Sequence, residues 1–223
     1  MFHCIPEVYN YLEADKKSKD GLLLATGPSA DKFALTASCL RVIIGINRAI
    51  VLYKHFDFLF IDGIRALALI IPYIEHTKYI VMPIWSCGLF NINNDVVQKY
   101  QEKILFYAWS LDNWDFLNVS HSLNDFQLYI NWGCTQSAIH FAKRIGLQSL
   151  EMIGCDGGPS ADGQLYSSRV TQVFPEPGQA RFRKQSGAYK RTSRKTGALG
   201  RSVGIELINN FMSKAQLEEM ECP

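Results

Sequence analysis

Apolar residues along this chain gather in short runs, each of which stops at a polar residue or a glycine. Gly21–Thr26 (GLLLAT) breaks into Gly27, Pro28 and Ser29, Arg41–Asn47 (RVIIGIN) ends on an asparagine, and Phe56–Asp62 (FDFLFID) ends on an aspartate. Lys78–Met82 and Ile104–Trp109 repeat the pattern. Runs of this length, β-branched or aromatic and without strict alternation, suit strands buried on both faces. Ala30–Leu40 and Ile64–Glu75 have helical composition instead. Thr135–Ile145 places Ala138, Phe141, Ala142 and Ile145 on one helical face, ahead of a further strand at Ser149–Ile153.

Strands alternating with helices imply parallel βαβ units joined by right-handed crossovers. The pattern therefore predicts an α/β fold: a Rossmann-like, doubly wound, mostly parallel sheet forming a single domain over residues 1–173. Residues 174–202 are rich in Gly, Arg, Lys and Ser with almost no apolar periodicity, which predicts a basic flexible loop. A last helix, Val203–Met220, is predicted to pack on the same domain through Ile205, Leu207, Ile208, Phe211 and Met212. No internal repeat is visible.

Composition adds little to this picture, and charge adds more. Hydrophobic residues are 48% of the chain and charged residues 20%, ordinary for a globular fold and incompatible with wholesale disorder. Met1–Glu7 lacks the regions of a signal peptide and no apolar run reaches the roughly 18 residues of a membrane span, so a cytoplasmic protein without a transmembrane segment is expected. The six cysteines show no CxxC spacing and read as reduced thiols. The net charge of +2 conceals an uneven distribution. Eight cations and no acid lie between Gly178 and Gly204, leaving 15 of the 23 Lys and Arg to face 21 Asp and Glu elsewhere. Such a segment could close over a phosphorylated substrate as a lid or touch a nucleic acid or an anionic lipid surface. It carries no nucleic-acid motif and the remaining chain is acidic, which disfavours nucleic acid as a partner.

In open parallel sheets ligands bind beyond the carboxyl ends of the strands, where loops diverge and helix N-termini point inward. The residues at those ends are Gly27, Pro28 and Ser29, then Asn47 and Arg48, then Asp62 and Gly63, and finally Gly154, Cys155 and Asp156. A glycine there lets the backbone approach a ligand, and Ser29 could cap a helix whose free N–H groups face an anion; a plain turn with a serine cap is the simpler reading. Neither the GxGxxG dinucleotide fingerprint nor the phosphate loop ending in Gly-Lys-Ser/Thr is present. Asn47 offers a donor and an acceptor for a base or sugar hydroxyl, and is also an ordinary turn residue. Asp62 reads best as the cap of the next helix, whereas Asp156, followed by Gly157, Gly158 and Pro159, opens a loop. The five histidines are not spaced as metal ligands, His140 reads as structural, and Asp112 with Asp115 is only a loose acidic pair, so no metal site is predicted.

The order strand, Gly27-Pro28-Ser29, strand ending in Asn47, strand ending in a polar residue, Gly133 to Gly146, then Ile153-Gly154-Cys155-Asp156 resembles the bacterial family 42 sialyltransferases. It also resembles the related 6-hydroxymethylpterin diphosphokinase-like group, which includes motility-associated glycosyltransferases. The resemblance covers roughly residues 21–62 and 131–167. It implies that Gly27, Ser29 and Asn47 contact a cytidine nucleotide, that Gly154 and Asp156 hold it, and that Cys134 and Thr135 stand where that family has Ser and Gly before its helix. Asp162, Gly163 and Tyr166 resemble an Asn-Gly-x-x-Tyr whose tyrosine binds the leaving phosphate, which makes Tyr166, with Asp156, the catalytic candidate. Two positions depart from the family. No histidine follows His140, where the sialyltransferases place a general base, and Gly158 replaces a second phosphate-binding tyrosine. The expectation is a glycosyltransferase-like enzyme taking a nucleotide-activated sugar such as a CMP-sugar. The alternatives are a diphosphokinase-like enzyme using ATP with Mg²⁺ held by Asp62 and Asp156, and a nucleotide-binding module without turnover.

Overall fold

Each apolar run forms a strand, and their order in space decides where a ligand can sit. The computed structural model describes residues 3–32, 40–86, 89–90, 94–110, 124–129, 133–156, 162–175, 196–197 and 199–209. The strands are β1 (His3–Cys4), β2 (Asp20–Leu24), β3 (Val42–Ile46), β4 (Phe56–Phe60), β5 (Thr77–Pro83), β6 (Trp85–Ser86), β7 (Leu89–Phe90), β8 (Ile104–Ser110), β9 (Gln127–Tyr129), β10 (Ser149–Ile153) and β11 (Glu206–Ile208). The α-helices are α1 (Tyr11–Ala14), α2 (Ile64–Ile70), α3 (Asp95–Lys99), α4 (Cys134–Arg144) and α5 (Ser168–Val173).

Among the described residues, nine strands form one sheet in the order β1-β8-β5-β4-β3-β2-β10-β11, with β9 also paired to β8. All its ladders are parallel. The strands from β2 to β5 and on to β8 advance in one direction, and β10 then returns to the other side of β2. This is the topological switch point of a doubly wound, Rossmann-like α/β sheet.

Period-two alternation explains why the runs are apolar throughout. On β4, Phe58 and Phe60 pack with α4 residues Phe141, Ala138 and Ala142 on one face, while Leu59 joins Leu67 and Ile70 of α2 on the other. Both faces are covered, so neither register tolerates a polar residue, and each fully buried Phe, Leu or Ile contributes about 2 kcal/mol. No helix among the described residues is long and apolar enough to cross a membrane.

A carboxylate nevertheless enters this interior. Asp57, second in β4, is only 7% exposed. Its carboxylate accepts from the Tyr11 hydroxyl (2.7 Å) and the Ile43 backbone N–H (2.8 Å), and pairs with the Lys17 ammonium (3.0 Å). It thereby ties α1 to the starting ends of β3 and β4. Burial, then the bond to Asp57, pushes the Tyr11 phenol well above its ordinary range. Asp57→Asn keeps one acceptor but strands the Lys17 charge; urea unfolding should show a loss of about 2 kcal/mol, typical of a bond to a charged group.

Of the predicted helix Ala30–Leu40, residues 30–32 belong to a 3₁₀ turn, Pro28–Lys32, and residues 33–39 lie outside the described residues. Of the segment predicted as helix Val203–Met220, the described part leaves the helix after Val203 and enters the sheet as β11, parallel to β10, while residues 210–220, with Phe211 and Met212, lie outside the described residues. Residues 199–203 are helical, but Gly204 takes φ +67° and stops that turn, and the Ile205 N–H closes back on the Gly200 carbonyl. Ile205 is buried, and Leu207 packs partly against the core from the new strand. Of the segment predicted as a basic flexible loop, 174–202, residues 196–197 and 199–202 are helical with Thr196 and Leu199 buried, which corrects the loop there; residues 176–195 and 198, and Asp112 with Asp115, lie outside the described residues.

Candidate functional site

Because their ladders are parallel, β10, β2, β3 and β4 end side by side on one edge of the sheet, and four loops leave there together. The first two interlock. The Gly27 N–H donates to the Gly154 carbonyl (2.8 Å), the Gly154 N–H to the Ser29 hydroxyl oxygen (2.9 Å), and the Ser29 N–H to Asp156 Oδ2 (3.1 Å). A Cβ on Gly27 would stand 2.0 Å from Asp156 Oδ2 and 2.5 Å from the Gly154 carbonyl oxygen. Close approach, not a left-handed backbone, is what requires glycine at position 27. Gly154 meets both demands, with φ +71° and only 2.3 Å between its would-be Cβ and the Ala25 carbonyl oxygen.

Ser29 is therefore not a helix cap. It is buried inside the 3₁₀ turn, and its hydroxyl locks the first loop to the loop after β10. Asp62 is not a cap either: Gly63 holds the N-cap of α2 without a side-chain bond, and the Asp62 carboxylate is exposed. Asn47 sits at φ +49°, left-handed for a residue with a side chain, directly at the end of β3. Such a conformation concentrates at functional sites because the surroundings must hold it in place. Its Oδ1 lies 3.9 Å from the Cys134 sulfur. Burial, and then the nearby Asp62 charge, raises the Cys134 thiol. Asn47, Asp62 and the first turn of α4 thus adjoin. Burial, and then Asp156, likewise pushes the Cys155 thiol up to about 12, so both cysteines are neutral here.

Thr135 is in the first turn of α4, whose N-cap Gly133 provides no side-chain cap. The helix's leading N–H groups face the strand ends, an arrangement suited to an anion. Tyr166 is brought in by the residue after it. The Ser167 N–H donates to the Thr26 carbonyl (2.8 Å), its hydroxyl to Asp31 Oδ1 (2.5 Å), and the Ser168 N–H to Asp31 Oδ2 (2.7 Å). Gly27, Ser29, Gly154 and Asp156 are thus bonded to one another, Asn47 and Asp62 lie near Cys134 at the start of α4, and Ser167 ties the backbone next to Tyr166 to the first loop. Among the described residues no group of three or more His, Cys, Asp or Glu could hold a metal ion.

No family model and no curated protein matches this chain. Among solved structures it is similar to the monofunctional alpha-2,3-sialyltransferase Cst-I from Campylobacter jejuni, at 14% identity over 86% of this chain and 75% of that one, with a TM-score of 0.43. It is also similar to the MAf glycosyltransferase from Magnetospirillum magneticum AMB-1, at 16% identity and a TM-score of 0.49, covering 96% of this chain and 39% of that one.

Asp31 is the residue that sequence reasoning missed. Its partners lie 136 and 137 positions away, so no local pattern marks it. Burial opposes ionisation of its carboxyl, but the bonds from Ser167 and Ser168 outweigh it and lower the pKa. A lowered folded-state value contributes stability above the unfolded value of about 4 that is lost as pH falls through that range. Asp31→Asn should flatten the acid limb of the stability profile between about pH 5 and pH 3, read by urea midpoints.

Proposed function

We propose that this chain is a glycosyltransferase-like enzyme of sialyltransferase type that takes a nucleotide-activated sugar, with the nucleotide at the carboxyl ends of β10, β2 and β3. The observation that carries this reading is the interlock of Gly27, Ser29, Gly154 and Asp156 at the switch point between β2 and β10. Crevices at such points are where doubly wound sheets take nucleotides. The residues of the sialyltransferase-like motif, scattered from position 27 to position 156, line this one edge.

In the proposed complex Asp156 accepts sugar hydroxyls of the nucleotide and Asn47 reads its polar edge. Ser29 acts through the loop it locks. An acceptor hydroxyl attacks the anomeric carbon as the bond from that carbon to the phosphate oxygen breaks; the hydroxyl proton passes to solvent and the departing phosphate gathers negative charge. Thr135 and the free N–H groups of α4, with the Tyr166 hydroxyl, are the donors placed to meet that charge. His140 is not the base: it is buried, contacts Arg144 Nε (3.4 Å), and lies about 9 Å along α4 from the crevice end.

The diphosphokinase alternative needs carboxylates sharing one Mg²⁺. Asp62 and Asp156 follow β4 and β10, which are three strand spacings apart, or about 14 Å. Ligands of one Mg²⁺ lie about 2 Å from it, so sharing an ion would require these two carboxylates to converge from separate strand ends. The test is incubation with a CMP-activated sugar and chromatography of the products. Release of CMP supports the transferase reading; binding without release supports the non-catalytic module, and turnover of ATP alone supports the diphosphokinase.

A further inference from the structure

The opposite edge of the sheet, where β3, β4 and β5 begin, holds a cavity of about 480 Å³, a size that accommodates small metabolites. The five residues of β4 separate it by about 16 Å from the crevice at the other edge, so one small ligand cannot span both. We propose that this cavity binds a small phosphate-bearing ligand.

Its donors outnumber its available acceptors. The lining contains two carboxylates, Asp57 and Glu75, and both are engaged. Asp57 is saturated by Tyr11, Ile43 and Lys17, and Glu75 pairs with Lys103 at 3.0 Å. The cations that remain are less fully used. Lys54, exposed on the loop before β4, has no carboxylate partner among the described residues. Lys78 pairs with Asp15 (2.5 Å) but carries three ammonium hydrogens. Arg41 directs its two terminal nitrogens to Glu151 (2.9 Å) and to the Gly21 carbonyl (2.8 Å), while its Nε–H is buried without an acceptor.

Two histidines stand on the same lining. His76 spends its Nδ1–H on the Ile50 carbonyl (3.1 Å), which leaves Nε2 as the acceptor of the neutral ring, and His55 stands edge-on to Tyr53. Tyr53 also packs edge-on against Phe56 at 5.7 Å, giving the cavity an apolar wall. The Lys54 and Lys78 ammonium groups on one lining with an aromatic wall fit a tetrahedral dianion with many acceptor oxygens, attached to an organic body that fills the remaining volume.

Thermal melts with inorganic phosphate at constant ionic strength, against chloride, test this in the intact chain. Wild type should gain about 3 °C or more once phosphate reaches ten times its Kd. Lys54→Glu, at an exposed position that leaves the fold alone, should raise Kd at least about tenfold by placing a like charge at the mouth. Asp156→Ala, at the far edge, should leave phosphate binding unchanged, and the ring signals of His55 and His76 should shift during an NMR titration. The proposal is overturned if wild type gains nothing, if Lys54→Glu gains as much as wild type, or if the gain vanishes in Asp156→Ala, which would place phosphate in the crevice.

Discussion

Gly27→Val is expected to abolish nucleotide binding, raising Kd by about 100-fold or more, and to cost about 1–3 kcal/mol of stability by overpacking. Even a single Cβ there would lie 2.0 Å from Asp156 Oδ2 and 2.5 Å from the Gly154 carbonyl oxygen. The carbonyl cannot retreat without breaking the bond it accepts from the Gly27 N–H, and the carboxylate cannot without releasing the Ser29 N–H. Two branched methyl groups enlarge the conflict and displace both loops from the switch point. Calorimetric titration with a cytidine nucleotide, paired with urea unfolding, separates the two effects. Unchanged affinity would mean that the interlock is only a turn.

The second large effect should come from Asp156→Ala. This carboxylate is half-buried and sits beyond the end of β10, outside the strands, so its removal should leave the melting temperature within a few degrees. The nucleotide, by contrast, loses its acceptor for sugar hydroxyls, and the Ser29 N–H loses its partner; Kd should rise by about 100-fold. Asp156→Asn, which keeps an acceptor without the charge, should fall between. A variant that melts far lower would assign Asp156 to the fold, and one that binds as well as wild type would remove it from the site.

Much of the frame could be read from local pattern. Ser149–Ile153 is a strand with the bounds its composition suggests, and the face of Thr135–Ile145 carrying Ala138, Phe141, Ala142 and Ile145 is the face that packs on the sheet. Local pattern works there because burial on both sides leaves few other arrangements. It fails where one residue or one distant partner overrides it. Gly204 stopped the helical turn so that residues 206–208 became β11, and the Ser29 hydroxyl found Gly154, 125 positions away, instead of its own turn. Asp57 in an apolar run gave no hint that Lys17 and Tyr11 would come to it, and Asp31 none that it would clasp Ser167. At the site, strand ends named the loops, but only the sheet order showed that those after β2 and β10 meet and that Asp62 and Asp156 stand apart.

Amide hydrogen exchange with and without CMP, in the absence of Mg²⁺, tests the central claim most directly, since it reports binding and its place together. The account predicts slowed exchange in residues 25–30, 46–48 and 154–156 on adding CMP, and none of it in Asp156→Ala. Absence of protection in these loops at saturating CMP, or protection confined to the opposite edge around residues 53–57, would contradict it.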